Sequence, residues 1–225
     1  MMQRTGLLAV LLLTTLLFLA ASFIPDESVG PQHNTPWDIT LSTTGNSQLF
    51  GITLGESLLD DAQRQWKEAA EITLFLTEGA PSKVEAYFQQ VTVGGLRASI
   101  VAEIQVNEKE MTTLINQGAR ISTQGDGSRK ITLSDEGVKG VEQSVVNSLT
   151  YLPKSNLSKE IIQRRFGLPN QVFIMENGVE HWVYPQWGLD IAISEQEKEV
   201  LQYVPPSQFE RLLAPLLKTQ QAPTT

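Results

Sequence analysis

The sequence predicts an α+β fold in which an N-terminal transmembrane helix precedes two units, each made of one helix and an antiparallel sheet. Three observations support this prediction. An uncharged apolar run opens the chain, helical and strand patterns alternate after residue 36, and one order of patterns occurs twice. With 41% hydrophobic residues among 225, the chain is able to bury a core.

Residues 1–24 predict a membrane span. The run 7–24 contains no charged residue and, as a helix, would reach about 27 Å, close to the thickness of a hydrocarbon core. Arg4 precedes the run and acidic residues follow it, so we expect an uncleaved signal anchor in a bacterial inner membrane, single-pass, with the C-terminal domain in the periplasm. The alternative is cleavage near Ser22 and secretion to the periplasm.

Residues 25–36 are polar and contain Pro and Gly, which predicts a linker. His33 lies in this linker, and we expect no function for it. The first α+β unit follows as residues 37–106. There "GESLLDDAQRQWKE" predicts an amphipathic helix, and "EITLFLTE", "KVEAYFQQV" and "GLRASIVAEIQV" predict three strands separated by turn residues.

Residues 107–156 predict a helix-hairpin-helix connection. "NEKEMTTLINQG" has Asn107 and Glu110 at the spacing of a capping box, and Gly118 ends that helix. "ARISTQGDGSRKITLS" predicts a hairpin, and "SDEGVKGVEQSVVNSL" predicts a second helix.

Residues 157–217 predict the second α+β unit. "NLSKEIIQRRFG" indicates a helix that begins after Asn156 or Ser158 and ends at Gly167. "QVFIME", "VEHWVYP", "GLDIAIS" and "EVLQYVP" predict four strands, the first two joined by an "NG" step typical of a type I′ turn. "PSQFERLLAPLLK" predicts a last helix, and residues 218–225 predict a disordered tail.

The two units predict an internal repeat. "AQRQW" matches "IQRRF", "ITLF" matches "VFIM", "VEAYF" matches "VEHWV", and "GLRASI" matches "GLDIAI", with length differences confined to turns. This match assigns Tyr87 and Trp182 to equivalent core positions, places the solvated Glu85 and Glu180 on the opposite strand face, and aligns His181 with Ala86.

The second unit resembles the repeat of small outer-membrane lipoproteins of the SmpA/OmlA type and of the β-lactamase inhibitor protein fold. The resemblance, over residues 157–204, rests on a helix ending in Phe-Gly-x-Pro at Phe166, a Trp-x-Tyr strand at Trp182, and a Gly-Leu step into an apolar strand. It implies β-lactamase inhibitor protein-like repeats that bind and scaffold proteins in the bacterial envelope without catalysis. Residues 107–156 and the absence of a lipobox Cys depart from that pattern.

Composition and motifs exclude several kinds of chemistry. The formal net charge of −8 would repel a phosphate backbone, so we expect no nucleic-acid partner. The absence of Cys excludes disulfides and thiolate ligands or nucleophiles. Neither a metal-ligand ladder nor a phosphate loop is present, and we expect no cofactor.

Four side chains in the second unit are candidate protein-binding residues: His181, Tyr184, Trp187 and Tyr203. We therefore expect a membrane-anchored periplasmic protein without catalytic activity that binds an envelope protein, as a scaffold or assembly factor. One alternative is a periplasmic hydrolase using His181 with Glu180 or Asp190. Another is a protein inhibitor that docks its sheet on a periplasmic enzyme.

Overall fold

The computed structural model describes residues 34–77, 79, 81–123, 125 and 127–221, with backbone only for 220 and 221. Residues 1–24 and His33 lie outside this part of the chain. Within it, no helix combines the length and the apolar character that a membrane crossing requires. The predicted transmembrane helix, the signal anchor and the single-pass inner-membrane localisation therefore have no support in the described residues.

The described chain is mostly sheet. Its strands are β1 (Thr40–Leu41), β2 (Ser47–Leu49), β3 (Ile52–Thr53), β4 (Glu71–Leu76), β5 (Lys83–Val93), β6 (Leu96–Ile104), β7 (Arg120–Thr123), β8 (Arg129–Thr132), β9 (Val146–Pro153), β10 (Gln171–Ile174), β11 (Glu180–Tyr184), β12 (Leu189–Ile193) and β13 (Val200–Tyr203). Its helices are α1 (Leu59–Trp66), α2 (Glu108–Asn116), α3 (Asp135–Glu142), α4 (Lys159–Phe166) and α5 (Glu210–Gln221).

The predicted fold class is wrong because the two units do not form separate sheets. Ten antiparallel strands form one sheet in the order β10-β11-β12-β13-β9-β6-β5-β4-β8-β7, and β1 to β3 form a small second sheet. In an isolated unit, the backbone groups on one side of its last strand, β9 or β13, would be unpaired. Because β9 and β13 pair with each other, neither strand is left at an edge of the sheet.

Strand β9, like the short strands β1 to β3, was not predicted from the sequence. The predicted helix over "SDEGVKGVEQSVVNSL" ends at Glu142, and its β-branched remainder begins β9. "LTYLP" in β9 matches "LQYVP" in and after β13, and the two strands pair symmetrically, with Leu149 opposite Tyr203 and Tyr151 opposite Leu201. β9 is therefore the counterpart of β13, and each unit contributes four strands in the same order. The internal repeat itself stays a prediction.

The pairing registers also correct the predicted match between β5 and β11. Leu149 and Leu201 are equivalent. Following the paired residues from each of them across the neighbouring strands leads to Ala86 in the first unit and to Trp182 in the second, so these two residues are equivalent as well. The sequence match had aligned Tyr87 with Trp182, which is one residue off. Side chains alternate between the two faces of a sheet. An error of one residue therefore aligns each residue of β11 with a β5 residue whose side chain lies on the opposite face.

Of the helix caps and turns predicted from the sequence, two caps are confirmed and one turn is not. The capping box is confirmed: Asn107 accepts from the Glu110 N–H at 3.0 Å, and Glu110 accepts from the Asn107 N–H. Ser158, one of the two predicted caps, accepts from the Ile161 N–H. The turn before β11 is not type I′, because Gly178 has a positive φ and Asn177 does not.

The main core lies on one side of the large sheet, which we call the inner face. Buried residues of α1 to α4 and of the small sheet pack there against Ala86, Ile100 and their neighbours. Phe50 stacks on Tyr151 with ring centroids 5.2 Å apart and meets Tyr203 edge-on at 5.7 Å. Of the described helices, α5 alone lies on the opposite side, the outer face, where it packs over β10 and β11 through a cluster of Phe173, Val183, Val204, Phe209 and Leu216.

Candidate functional site

The outer face carries one continuous row of side chains across five strands. Paired residues bring together Tyr87 of β5, Val101 of β6, Thr150 of β9, Gln202 of β13 and Asp190 of β12. The first four are partly or largely exposed, whereas Asp190 is buried next to the end that α5 covers. The outer face thus has a covered end and an open end.

The open end is centred on Tyr87, whose side chain is 38% exposed. Its hydroxyl lies 3.4 Å from the Ser99 Oγ, which donates to the Gln89 carbonyl at 2.8 Å and accepts from the Lys154 Nζ at 2.8 Å. These contacts hold an exposed aromatic ring in a defined orientation. We call Tyr87, Val101, Thr150 and Leu152 the open patch.

The predicted core position of Tyr87 is wrong, because its side chain lies on the outer face. A usable signal was present, since Val84, Ala86 and Phe88 are the apolar alternate residues of β5 and all three are buried. That alternation sends Tyr87 and Glu85 to the outer face. In the observed register His181 corresponds to Glu85 and not to Ala86.

His181 lies on the outer face near α5 and pairs with Asp190. Its Nδ1 is 2.8 Å from the Asp190 Oδ2, and the side chains are 18% and 2% exposed. The structure therefore selects Asp190 from the two carboxylates considered for His181. The second oxygen of Asp190, Oδ1, is buried without a hydrogen-bond partner among the described residues.

Glu180 points to the inner face and has different partners. It accepts from the Lys159 Nζ at 2.8 Å and from the Trp182 Nε1 at 3.1 Å. The Lys159 hydrogen bond is the main cause that lowers the pKa of the Glu180 carboxyl, and the Trp182 bond adds to it. Its partners give this carboxylate a structural role beside α4.

The other three predicted binding residues lie apart from His181. Tyr184 and Tyr203 are fully buried, and their hydroxyls donate to the Gly167 carbonyl at 3.1 Å and the Pro36 carbonyl at 3.0 Å. Trp187 is partly buried and stacks on Tyr184 with ring centroids 5.7 Å apart. These aromatic residues tie the N-terminal segment and α4 to the inner-face core.

The His181–Asp190 pair can orient an imidazole ring, but no hydroxyl group of the described residues is hydrogen-bonded to that ring. Among the described residues, the ring has no hydrogen bond other than the one to Asp190. A Ser or Thr hydroxyl bonded to the second ring nitrogen would be needed for a triad. The same part of the chain contains no group of three His, Asp or Glu side chains that could hold a metal ion.

Three cavities in the described part of the chain lie outside this pair, one of them of about 520 Å³ beside the start of α4. Another of about 560 Å³ lies between α2 and α3 and is lined by residues such as Leu114 and Val141. A groove of about 290 Å³ runs along the outer face beside α5, between Glu85 and Arg211. Burial is the main cause that raises the pKa of the Glu85 carboxyl; nearby Lys83 opposes this, and Glu103 adds to it.

No family model, curated protein or solved structure matches the chain. The resemblance to SmpA/OmlA-type lipoproteins and the β-lactamase inhibitor protein fold therefore stays a prediction. The candidate site is defined by geometry: an open patch around Tyr87 and a His181–Asp190 pair at the covered end of the same face.

Proposed function

We propose that the protein is a non-catalytic protein-binding module whose contact surface is the open patch on the outer face. One observation carries this proposal. Helices α1 to α4 contribute to the inner core, and α5 packs over β10 and β11 and reaches β6 only through Arg211, so the described helices leave uncovered a sheet surface that contains the oriented, exposed Tyr87.

The composition of this surface suits a protein partner. Val101 and Leu152 supply apolar area beside Tyr87, and charged side chains border them. Protein interfaces typically combine an apolar centre, an aromatic anchor and a polar rim. Glu103 is held at that rim by Arg211 of α5 through bonds of 2.7 and 2.9 Å. The predicted resemblance would make the partner a protein of the bacterial envelope.

A photocrosslinking residue placed at Tyr87 tests the proposal in cells. We expect one defined protein to attach at Tyr87 and at Leu152, and not at Lys109, an exposed control position on α2. With that protein purified, Tyr87→Ala should weaken binding by about tenfold or more, as expected for an aromatic anchor. Equal labelling from all three positions would rule out the open patch as the contact surface.

A hydrolase using His181 and Asp190 is the second candidate, and the 2.8 Å contact between them favours it over a hydrolase using Glu180. His181→Ala separates the two functions. If the unmodified protein has a hydrolytic activity and His181→Ala loses it while still binding the partner, the hydrolase is supported. If the unmodified protein has no hydrolytic activity and His181→Ala binds the partner equally well, the binding module is supported. If the captured partner is an enzyme that the protein inactivates, the module acts as an inhibitor.

A further inference from the structure

Strand β10 forms an open edge of the large sheet. Among the described residues it pairs with β11 on one side and with no strand on the other. Val172 and Ile174 on its inner face are 40% and 65% exposed, and Leu168 just before it is 75% exposed. Unpaired strands with apolar side chains are templates for pairing with another strand.

The equivalent strand of the first unit indicates what such an edge accommodates. Counted through the paired strands, Val172 and Ile174 correspond to Ile72 and Leu74 of β4. Ile72 is 8% exposed and Leu74 is fully buried, and β8 pairs along β4 with Ile131 opposite Leu74. The position equivalent to Ile174 is therefore buried where an antiparallel strand lies next to it, and the position equivalent to Val172 is buried just beyond the paired residues.

The two edges of the sheet also differ in charge. At the other end, β7 carries Arg120 and its neighbour β8 carries Arg129 and Lys130, and positive charge on an edge discourages further pairing. The residues of β10, Gln171–Ile174, are uncharged. Nothing in β10 itself would repel a strand of the same sequence.

We propose that β10 pairs antiparallel with β10 of a second copy of this chain, in the register that sets Phe173 opposite Phe173 of the second copy. Met175 donates its N–H to the Val179 carbonyl at 2.8 Å. Because strand residues alternate in the direction of their N–H and C=O groups, those of Val172 and Ile174 point away from β11. The register pairs Val172 with Ile174 of the second copy and forms four backbone hydrogen bonds.

Side chains are compatible with this register. A two-fold axis perpendicular to the sheet keeps inner faces on one side, so Val172 and Ile174 of both copies form one apolar patch. Glu176 meets Asn170 of the second copy, which avoids a pair of like charges. The edge is thus self-complementary in backbone hydrogen bonding, in its apolar side chains and in charge. A second copy is therefore the partner that satisfies every one of these conditions.

Sedimentation of the full chain tests the proposal. We expect a dimer for the unmodified protein and a monomer for Ile174→Pro, which removes two of the four intermolecular donors and leaves the bonds between β10 and β11 intact. Ile174→Lys should also abolish the dimer. The matched control Ile121→Lys, on the opposite edge, should leave it unchanged. A monomeric unmodified protein, or a dimer that Ile174→Pro and Ile174→Lys leave intact, would overturn the proposal.

Engineered cysteines test the register, because the chain has none of its own. Paired residues of an antiparallel ladder lie about 5.5 Å apart between Cα atoms, within reach of a disulfide. A mixture of Val172→Cys and Ile174→Cys chains should oxidise mainly to the mixed dimer. Equal yields of all three dimers, or none, would contradict the register. This test also works if the proline variant does not fold.

Discussion

The two halves of the ten-stranded sheet contain the same order of four strands but differ at their outer ends. In the first unit, β4 is followed in the sheet by β8 and β7, which come from the segment between β6 and β9. In the second unit, β12 leads directly to β13, and the equivalent strand β10 stays at the edge. Burial of a strand therefore depends on its neighbour as much as on its own residues, since both strands are similarly apolar.

We expect the greatest difference in the free energy of unfolding between variants at equivalent residues of β4 and β10. Leu74→Ala should lower the free energy of unfolding by about 2–5 kcal/mol, because it leaves a cavity in the core. Ile174→Ala, at the equivalent exposed position, should change it by about 0.5 kcal/mol or less when measured on the monomer. Urea denaturation of both variants at dilutions where the protein is monomeric checks this. Similar losses at the two sites would mean that β10 is covered in the monomer.

The buried tyrosines of both units predict a loss of stability in alkali. Burial raises the pKa of Tyr151 and of Tyr184 to about 12, and raises that of Tyr203 in the same direction. Between about pH 10 and pH 12 the unfolded chain releases tyrosine protons that the folded chain retains. The free energy of unfolding should therefore fall as pH rises, by about 1.4 kcal/mol per pH unit for each of Tyr151 and Tyr184.

Denaturation curves across this pH range measure that slope, with absorbance of the phenolate as a second readout. Tyr151→Phe provides the control, because it removes one ionising group and should make the slope shallower. A free energy of unfolding that stays constant up to about pH 12 would contradict the prediction.

The equivalent residues Tyr151 and Tyr203 differ in their hydrogen bonds. Tyr203 donates to the buried Pro36 carbonyl, whereas the Tyr151 hydroxyl is buried without a partner among the described residues. Tyr203→Phe should cost about 1–3 kcal/mol, because it leaves a buried carbonyl unsatisfied. Tyr151→Phe should be neutral or stabilising at neutral pH. Thermal or urea denaturation distinguishes the two, and equal costs would indicate that Tyr151 has a partner in solution.

Features set by neighbouring residues were predictable from the sequence. The Asn107 capping box, the Ser158 cap and most strands follow from short patterns, and each was found within a few residues of its position. The third helix was extended into β9 because "QSVVNSL" continues an apolar pattern after a helix start. The later "LTYLP", with its counterpart "LQYVP", was the signal that would have separated β9 from it.

Features set by strand pairing were not predictable in the same way. The match of "VEAYF" with "VEHWV" has more identical letters than the true register, which is one residue away, and identity does not report which face a side chain takes. The choice of Asp190 over Glu180 as the partner of His181 depends on that face. The closure of both units into one sheet depends on contacts between β9 and β13, residues far apart in the chain.

We expect a smaller difference in the free energy of unfolding between variants of His181 and of its counterpart Glu85. His181→Ala removes the partner of the buried Asp190, but the lost ring also opens a partly exposed position to water, so we expect a cost of about 0.5–1.5 kcal/mol, the value of one hydrogen bond. Glu85→Ala should be neutral or slightly stabilising, because burial and Glu103 disfavour its charge. Asp190→Asn in the His181→Ala background should restore part of the loss by removing the unpaired carboxylate. If His181→Ala is neutral and Asp190→Asn restores nothing, the pair does not stabilise the fold, and a functional role at the covered end becomes the better account of it.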